Sequence, residues 1–294
     1  MTLEELYLKA KKQLIKTPNS EPNFEVMSML EFFFNITRQD FILKRKNKIK
    51  QKEVENFLKL ISERANGKPL QYILGYWYFM GKKFFVNKKV LIPREDTQVL
   101  VETAVELLKN KNNVKILELC VGTGIISIML EKLLKNPKIV GLEISDSAIK
   151  CAKKNLILHK TKNVELIKFN ILKDSFMEND FDLVIANPPY IKSGDFSNLQ
   201  KEVQNEPYLA LNGGKDGLLF YKKILKNFRK NLKTNAYIAL ELGINQNKNV
   251  ESLLEKNKFY NIGTKRDLNN IKRVIFGAKS VTTVHTKKSL AMHI

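Results

Sequence analysis

The stretch Asn187-Pro188-Pro189-Tyr190 combines backbone and side chains suited to gripping a small planar group that carries an NH2. It follows Phe181-Asp182-Leu183-Val184-Ile185-Ala186, an apolar run long enough for one buried strand. A proline fixes its own φ and drives the residue before it into extended backbone. Asn187 and Pro188 both precede a proline, so the strand should stop here in a stiff, extended loop. Neither proline has an N–H, which leaves the carbonyls of Asn187 and Pro188 free as acceptors. The Asn187 side chain adds an amide oxygen and an NH2, and Tyr190 adds a flat aromatic face. An isolated Asn-Pro pair reads as a strand-ending turn. A glycine loop upstream gives this one a functional reading.

That loop lies in Ile116-Leu117-Glu118-Leu119-Cys120-Val121-Gly122-Thr123-Gly124, a strand running into glycines and then a helix. In open α/β sheets such a loop sits at the carboxyl edge, where cofactors bind. Its glycines let the backbone turn sharply and approach a ligand. Ser127 stands where a dinucleotide fingerprint has its third glycine, which argues against NAD. Glu118, before the loop, is a candidate to hold a ligand ammonium group. Glu143 ends the next strand, Ile139-Val140-Gly141-Leu142-Glu143, where an acidic residue can accept from both hydroxyls of a ribose. Asn170, after a third strand, can accept from an adenine amino group. A nucleoside cofactor without phosphates and with an amino-acid tail, S-adenosylmethionine, fits these positions. The sequence has no P-loop. Cys120 and Cys151 are the only cysteines and His159, His285 and His293 the only histidines, which leaves no recognisable zinc cluster and no disulfide scaffold.

These residues need an alternating scaffold, and the chain from residue 114 supplies one. Strands are expected at 114–119, 138–143, 163–169, 181–186 and 235–241, and helices near 98–109, 125–135, 146–158, 216–231 and 246–256. Asp96 or Thr97 is the candidate N-cap of the first of these helices. Apolar strands separated by helices imply a parallel sheet covered on both faces. A last pair, 259–265 and 272–276, closes it as an antiparallel hairpin. Upstream, Leu3, Leu6, Ala10 and Leu14 share a helical stripe, and further helices are expected at 23–35, 36–43 and 52–65. Aromatic residues around Gly81-Lys82 then suggest a hairpin. The expected division is residues 1–86 for the bundle and hairpin, 87–276 for the α/β domain, and a tail, 277–294, without periodicity or acidic residues.

Bulk composition adds bounds. The chain of 294 residues has material for a catalytic domain and a smaller one. No run has the apolar length of a membrane span, and Met1-Thr2-Leu3-Glu4-Glu5 lacks a signal-peptide layout, so the cytosol is the expected compartment. Net charge is +21, from 51 basic and 30 acidic side chains, a balance that permits nucleic-acid or ribosomal neighbours without requiring them.

With the motifs in hand, the chain resembles the HemK/PrmC family, the protein-glutamine N5-methyltransferases of peptide-chain release factors, over roughly residues 24–276. The resemblance rests on Pro69-Leu70-Gln71-Tyr72-Ile73-Leu74-Gly75, Leu91-Ile92-Pro93-Arg94, Glu118 to Gly124, Asn187 to Tyr190, Glu206-Pro207, Leu211 to Leu218 and Glu241-Leu242-Gly243. It implies a Rossmann-like class I S-adenosylmethionine-dependent methyltransferase with a seven-stranded sheet, preceded by a helical domain and a β-hairpin. It also implies that Asn187, Pro188, Pro189 and Tyr190 bind the substrate glutamine. Cys120, Val121, Gly122, Thr123, Gly124, Glu143, Asn170 and Ile171 would line the cofactor pocket, with Asn187 between the two ligands. The family usually has Asp-x-Gly-x-Gly-x-Gly where this chain has Glu118 and Cys120, and usually has Asp at the positions of Glu143 and Asn170. The bundle would recognise the release factor body, since a glutamine alone offers little surface.

A carboxamide nitrogen is a poor nucleophile, whereas a sulfonium methyl is already activated, so positioning is the expected source of rate. The Asn187 side-chain oxygen and the Pro188 carbonyl would accept the two hydrogens of the glutamine NH2. Two other readings compete. Asn-Pro-Pro-Tyr also serves adenine-N6 methyltransferases of DNA or RNA, though a large target-recognition domain is missing here. A non-catalytic RNA- or ribosome-binding relative is the other, opposed by the intact Asn187–Tyr190 and Gly122-Thr123-Gly124.

Overall fold

A computed structural model describes residues 1–18 and 20–279. Helix α1 (Leu3–Leu14) starts on a capping box: Thr2 Oγ1 accepts from the Glu5 amide, and the Glu5 carboxylate accepts from the Thr2 amide. Then come α2 (Pro22–Phe34), α3 (Arg38–Lys44), α4 (Gln51–Ala65) and the short α5 (Leu70–Leu74). Leu3, Leu6, Ala10 and Leu14 are buried along one stripe of α1 and share a core with Met29 of α2 and Phe57 of α4. Strands β1 (Tyr76–Phe79) and β2 (Lys82–Phe85) form the expected hairpin.

The rest of the chain alternates. After α6 (Thr97–Leu108) come β3 (Lys115–Leu119), α7 (Ile125–Leu133), β4 (Lys138–Glu143), α8 (Asp146–Leu158), β5 (Val164–Lys168) and β6 (Phe181–Ala186). Two four-residue helices, α9 (Lys201–Gln204) and α10 (Tyr208–Leu211), precede α11 (Leu219–Phe228), β7 (Leu232–Glu241), α12 (Asn247–Lys256), β8 (Phe259–Arg266) and β9 (Lys272–Lys279). The seven strands lie in the order β5-β4-β3-β6-β7-β9-β8. All pairings are parallel except those of β9, which runs antiparallel to β7 and β8. A class I methyltransferase sheet is the result, with buried clusters on both faces.

Several boundaries differ from the sequence reading. β7 begins at Leu232 rather than 235, because Lys233, Thr234 and Asn235 are exposed and carry no apolar signal. The helix expected at 216–231 is α11 followed by a 3-10 turn, Arg229–Asn231. Gly277 to Lys279 continue β9 instead of opening the tail; residues 280–294 lie outside the described residues. No helix among the described residues is long and apolar enough to cross a membrane.

Register decides what meets at the carboxyl edge. Leu119 lies opposite Leu142 on one side and Ala186 on the other, and Ala186 opposite Leu240. Cys120, Glu143, Asn187 and Glu241 come next along their strands, so four distant segments deliver polar groups to one edge of the sheet.

Candidate active site

Two hollows that share wall residues occupy that edge. The larger, about 320 Å³, is walled by Cys120, Val121, Gly122, Thr123, Glu143, Asn170, Ile171, Asn187 and Pro189, among others. The second, about 230 Å³, is walled by Asn187, Pro188, Pro189 and Tyr190 together with Leu91, Arg94, Leu199 and Val203. Asn187, Pro189 and Arg94 border both. The Asn-Pro-Pro-Tyr corner is therefore the partition between the larger cleft and the smaller groove. Glu118 and Gly124, two of the residues expected in the cleft, are not part of its wall.

The loop after β3 explains why. Cys120 (φ +61°), Gly122 (φ +58°) and Gly124 (φ +82°) all take left-handed backbone, which lifts the loop over the strand ends before α7 begins. Glu118 is left beneath it, fully buried. Its Oε2 accepts from the Ser127 amide at 2.9 Å and from the Ser127 hydroxyl, and Oε1 has no partner among the described residues. Burial pushes this carboxyl up to about 8, against the Ser127 bonds. Glu118 thus supports the loop and the start of α7 from below, where the sequence reading had it facing a ligand. Burial, with Glu143 and Glu118 nearby, also holds the Cys120 thiol protonated.

Glu143 is braced across the loop. Its Oε2 accepts from the Gly122 amide at 2.9 Å and its Oε1 from the Ser145 amide at 2.9 Å. Each oxygen keeps a lone pair for a hydroxyl in the cleft. Asn170 Oδ1 accepts from the Leu172 amide at 3.0 Å, closing an Asx turn. The oxygen expected to serve a ligand is engaged first by its own loop.

The Asn187–Tyr190 corner is held from three sides. Asn187 Nδ2 donates to Thr97 Oγ1 at 3.3 Å. The Tyr190 carbonyl accepts from Gln246 Nε2 at 2.9 Å, and Ile191 bridges to the 211–213 segment, donating to the Leu211 carbonyl at 2.9 Å and accepting from the Gly213 amide at 2.7 Å. A β-carbon on Gly213 would lie 2.7 Å from Tyr190 Cα, so only glycine lets this segment lie against the corner. Among the described residues no donor reaches the Pro188 carbonyl. Burial raises the Tyr190 phenol, which stays neutral. Arg94 pairs with Glu206, whose Oε2 also accepts from the Ile92 amide at 3.0 Å, joining two of the sequence motifs at the groove.

Two residues at this corner were missed as site residues. Thr97 was expected only as a helix cap; the cap position falls to Asp96, which makes no side-chain cap bond, and the Thr97 hydroxyl turns to Asn187 instead. Glu241 ends β7 with 1% exposure, and burial pushes its carboxyl up to about 7. A buried acid at a carboxyl strand end is the signal that could have found it.

Comparisons with known proteins agree with this architecture. Residues 110–292 match the family model described as methyltransferase domain, and residues 5–75 match the PrmC N-terminal domain. The release factor glutamine methyltransferase of Fusobacterium nucleatum is 34% identical over 279 residues, 94% of this chain and 79% of that protein. The Aquifex aeolicus protein of the same name is 34% identical over 270 residues, 91% of this chain and 95% of that one. A methyltransferase from Pyrococcus furiosus shares the fold, with a TM-score of 0.51 over 69% of this chain and 91% of that one at 19% identity. Because the identity runs through the helical bundle as well as the sheet, the chain belongs to the release factor glutamine methyltransferase family.

Proposed function

We propose that this protein transfers a methyl group from S-adenosylmethionine to the side-chain amide nitrogen (N5) of the glutamine in the Gly-Gly-Gln motif of peptide-chain release factors, in the cytosol. The observation that carries the reading is the corner itself: an Asn187 side chain held by its NH2 end, beside an unengaged Pro188 carbonyl, on the partition between cleft and groove. Two acceptors at that point match the two hydrogens of a carboxamide NH2.

The larger cleft fits the cofactor chemically. A carboxylate at the end of β4, braced by two backbone amides, suits vicinal hydroxyls. Ile144, Ile171 and Phe169 supply apolar walls for a base. Glu143 and Asn170, with the loop from Cys120 to Thr123, would hold the nucleoside, and Glu118 would act through the loop that it supports. When bound, the cofactor supplies an activated methyl on a positively charged sulfur. The protein's part is then orientation: Asn187 Oδ1 and the Pro188 carbonyl hold the glutamine nitrogen, and Tyr190 and Pro189 flank the amide plane. Holding reactants in line lowers a barrier by about 7–11 kcal/mol at best.

Intact-mass and peptide analysis of release factor, incubated with enzyme and cofactor beside parallel DNA and RNA samples, tests this. One methyl on the glutamine of the Gly-Gly-Gln loop is the expected product. Methyl transfer to nucleic acid instead would overturn it. Asn187→Ala should lower turnover about 100-fold or more while cofactor affinity changes little.

A further inference from the structure

A carboxamide has two ends, and the Asn187–Pro188 corner serves only one of them. With Asn187 Oδ1 and the Pro188 carbonyl receiving its two N–H groups, the carboxamide oxygen still needs a donor. Burying that oxygen without one weakens binding. Of the side chains that wall the smaller groove, only Asn187, Tyr190 and Arg94 carry N–H or O–H groups; the others are aliphatic or proline. Asn187 turns its NH2 to Thr97 Oγ1 at 3.3 Å, and Tyr190 flanks the amide plane. Arg94 remains.

Arg94 walls both the groove and the cleft. Its Nη2 donates to Glu206 Oε1, while Nε and Nη1 have no partner among the described residues. The Glu206 side chain is 1% exposed against 34% for Arg94, and its Oε2 is fixed by the Ile92 amide at 3.0 Å. A buried, anchored carboxylate therefore grips one corner of a planar guanidinium and leaves other donors of the fork to give. Charge matters as much as direction. Arg94 is the only charged side chain on the groove wall. Alone, it would draw in a carboxylate in preference to an amide, and would repel a sulfonium across the partition. Burial raises the Glu206 carboxyl, and Arg94 and the Ile92 amide pull it back toward the ionised form that makes the pair neutral.

We propose that Arg94 donates to the oxygen of the substrate carboxamide, and that Glu206 is a positioning residue that aims the guanidinium and cancels its charge, so that the groove takes a neutral amide and not a carboxylate. This rests on the reading of the groove as the glutamine site.

The test uses the full chain with Glu206→Gln, Arg94→Lys and the paired Arg94→Met, Glu206→Gln variant. It reads kcat/KM for release factor and the affinities for S-adenosylmethionine and S-adenosylhomocysteine, whose sulfurs differ by one positive charge. Glu206→Gln keeps the shape and strips the compensating charge, so the affinity ratio of the two should shift against S-adenosylmethionine at least about threefold. A release factor with glutamate in place of its Gly-Gly-Gln glutamine should inhibit this variant at least about threefold more strongly than wild type. The paired variant should restore the wild-type ratio yet stay at least about tenfold down in kcat/KM, because the amide oxygen has lost its donor. Arg94→Lys keeps the charge pair and loses the fork, so its ratio should match wild type while kcat/KM falls. Wild-type kcat/KM in both Arg94 variants, or an unchanged ratio in Glu206→Gln, would overturn the proposal. The affinity readings need no methyl transfer. A wild-type enzyme inactive on release factor, whose ratio still shifts in Glu206→Gln, would remove the glutamine reading and leave the charge balance of the pair standing.

Discussion

Cys120 carries a β-carbon at φ +61°, in backbone that side chains avoid. Such a conformation costs about 1–2 kcal/mol for a residue other than glycine. Its thiol cannot explain the choice by reactivity, since burial keeps it protonated. Cys120→Ala and Cys120→Gly both delete the thiol and differ only in that β-carbon. The glycine variant should be the more stable of the two by about 1 kcal/mol in urea unfolding. Equal stability would mean that the loop relaxes around the side chain. The glycine loop, Glu143 and the Asn187–Tyr190 corner were legible in the sequence because each is a local motif, with its residues adjacent or set by a strand end. Thr97 and Glu241 were not. Thr97 bonds Asn187, and Glu241 lies at the neighbouring strand end, only because segments far apart in the chain pack together, and a threonine at a helix start already has an ordinary explanation. Glu118 misled for a related reason: the sequence shows an acid before a glycine loop but not that the loop folds over it.

At the scale of elements, the bundle does more than stand beside the sheet. Arg64 on α4 is 4% exposed and donates to Glu25 of α2 at 2.6 Å and 3.0 Å, and to Glu202 of α9 at 2.8 Å. Asn205, just past α9, donates to the Gly67 carbonyl at 3.1 Å. Because Val203 of α9 walls the smaller groove, the bundle holds one side of that groove in place. Removing Arg64 alone would leave Glu25 buried and unpaired, a loss of about 3–5 kcal/mol. A paired Glu25→Met, Arg64→Met variant should recover much of that stability yet still release α9. In this variant KM for release factor should rise about fivefold with cofactor affinity unchanged; an unchanged KM would reduce the clamp to a structural tie. The sheet strands and long helices were legible because apolar runs and 3.6-residue spacing repeat over enough residues to register. The groove wall was not, since the four-residue α9 and α10 are too short to show a period. Nor does anything local link Glu25, Arg64 and Glu202.

For the whole molecule, the active edge carries a stability penalty that pH should expose. Burial raises Glu118 to about 8 and Glu241 to about 7. A carboxyl with a folded pKa above its unfolded value binds more protons in the native state, so stability is highest below the ordinary carboxylate range and falls as pH rises through the folded pKa. The descending window for this pair therefore runs from about pH 5 to pH 8. Asp40, Glu106, Asp182, Asp216 and Asp267 are lowered instead, chiefly by bonded lysines, arginines and backbone amides, although burial of Asp182 opposes its partners. They are ionised throughout the window in both states and leave its slope flat. His159 works in the opposite direction: burial lowers its pKa, so its contribution grows as pH passes the ordinary histidine range. One partly exposed histidine does not outweigh two fully buried carboxyls, since each tenfold change in a group's proton affinity is worth about 1.4 kcal/mol. Below the window, a net charge of +21 makes further protonation self-repulsive, which sets the acid limit. Urea unfolding of the protein without cofactor should therefore give a larger unfolding free energy near pH 5 than near pH 8, by on the order of a few kcal/mol. The Glu118→Gln, Glu241→Gln double variant should flatten the curve, because neither amide titrates. A wild-type curve that climbs toward pH 8 would show that these two carboxyls are ionised in the fold at little expense, and that the edge holding Asn187 is far better solvated than its burial implies.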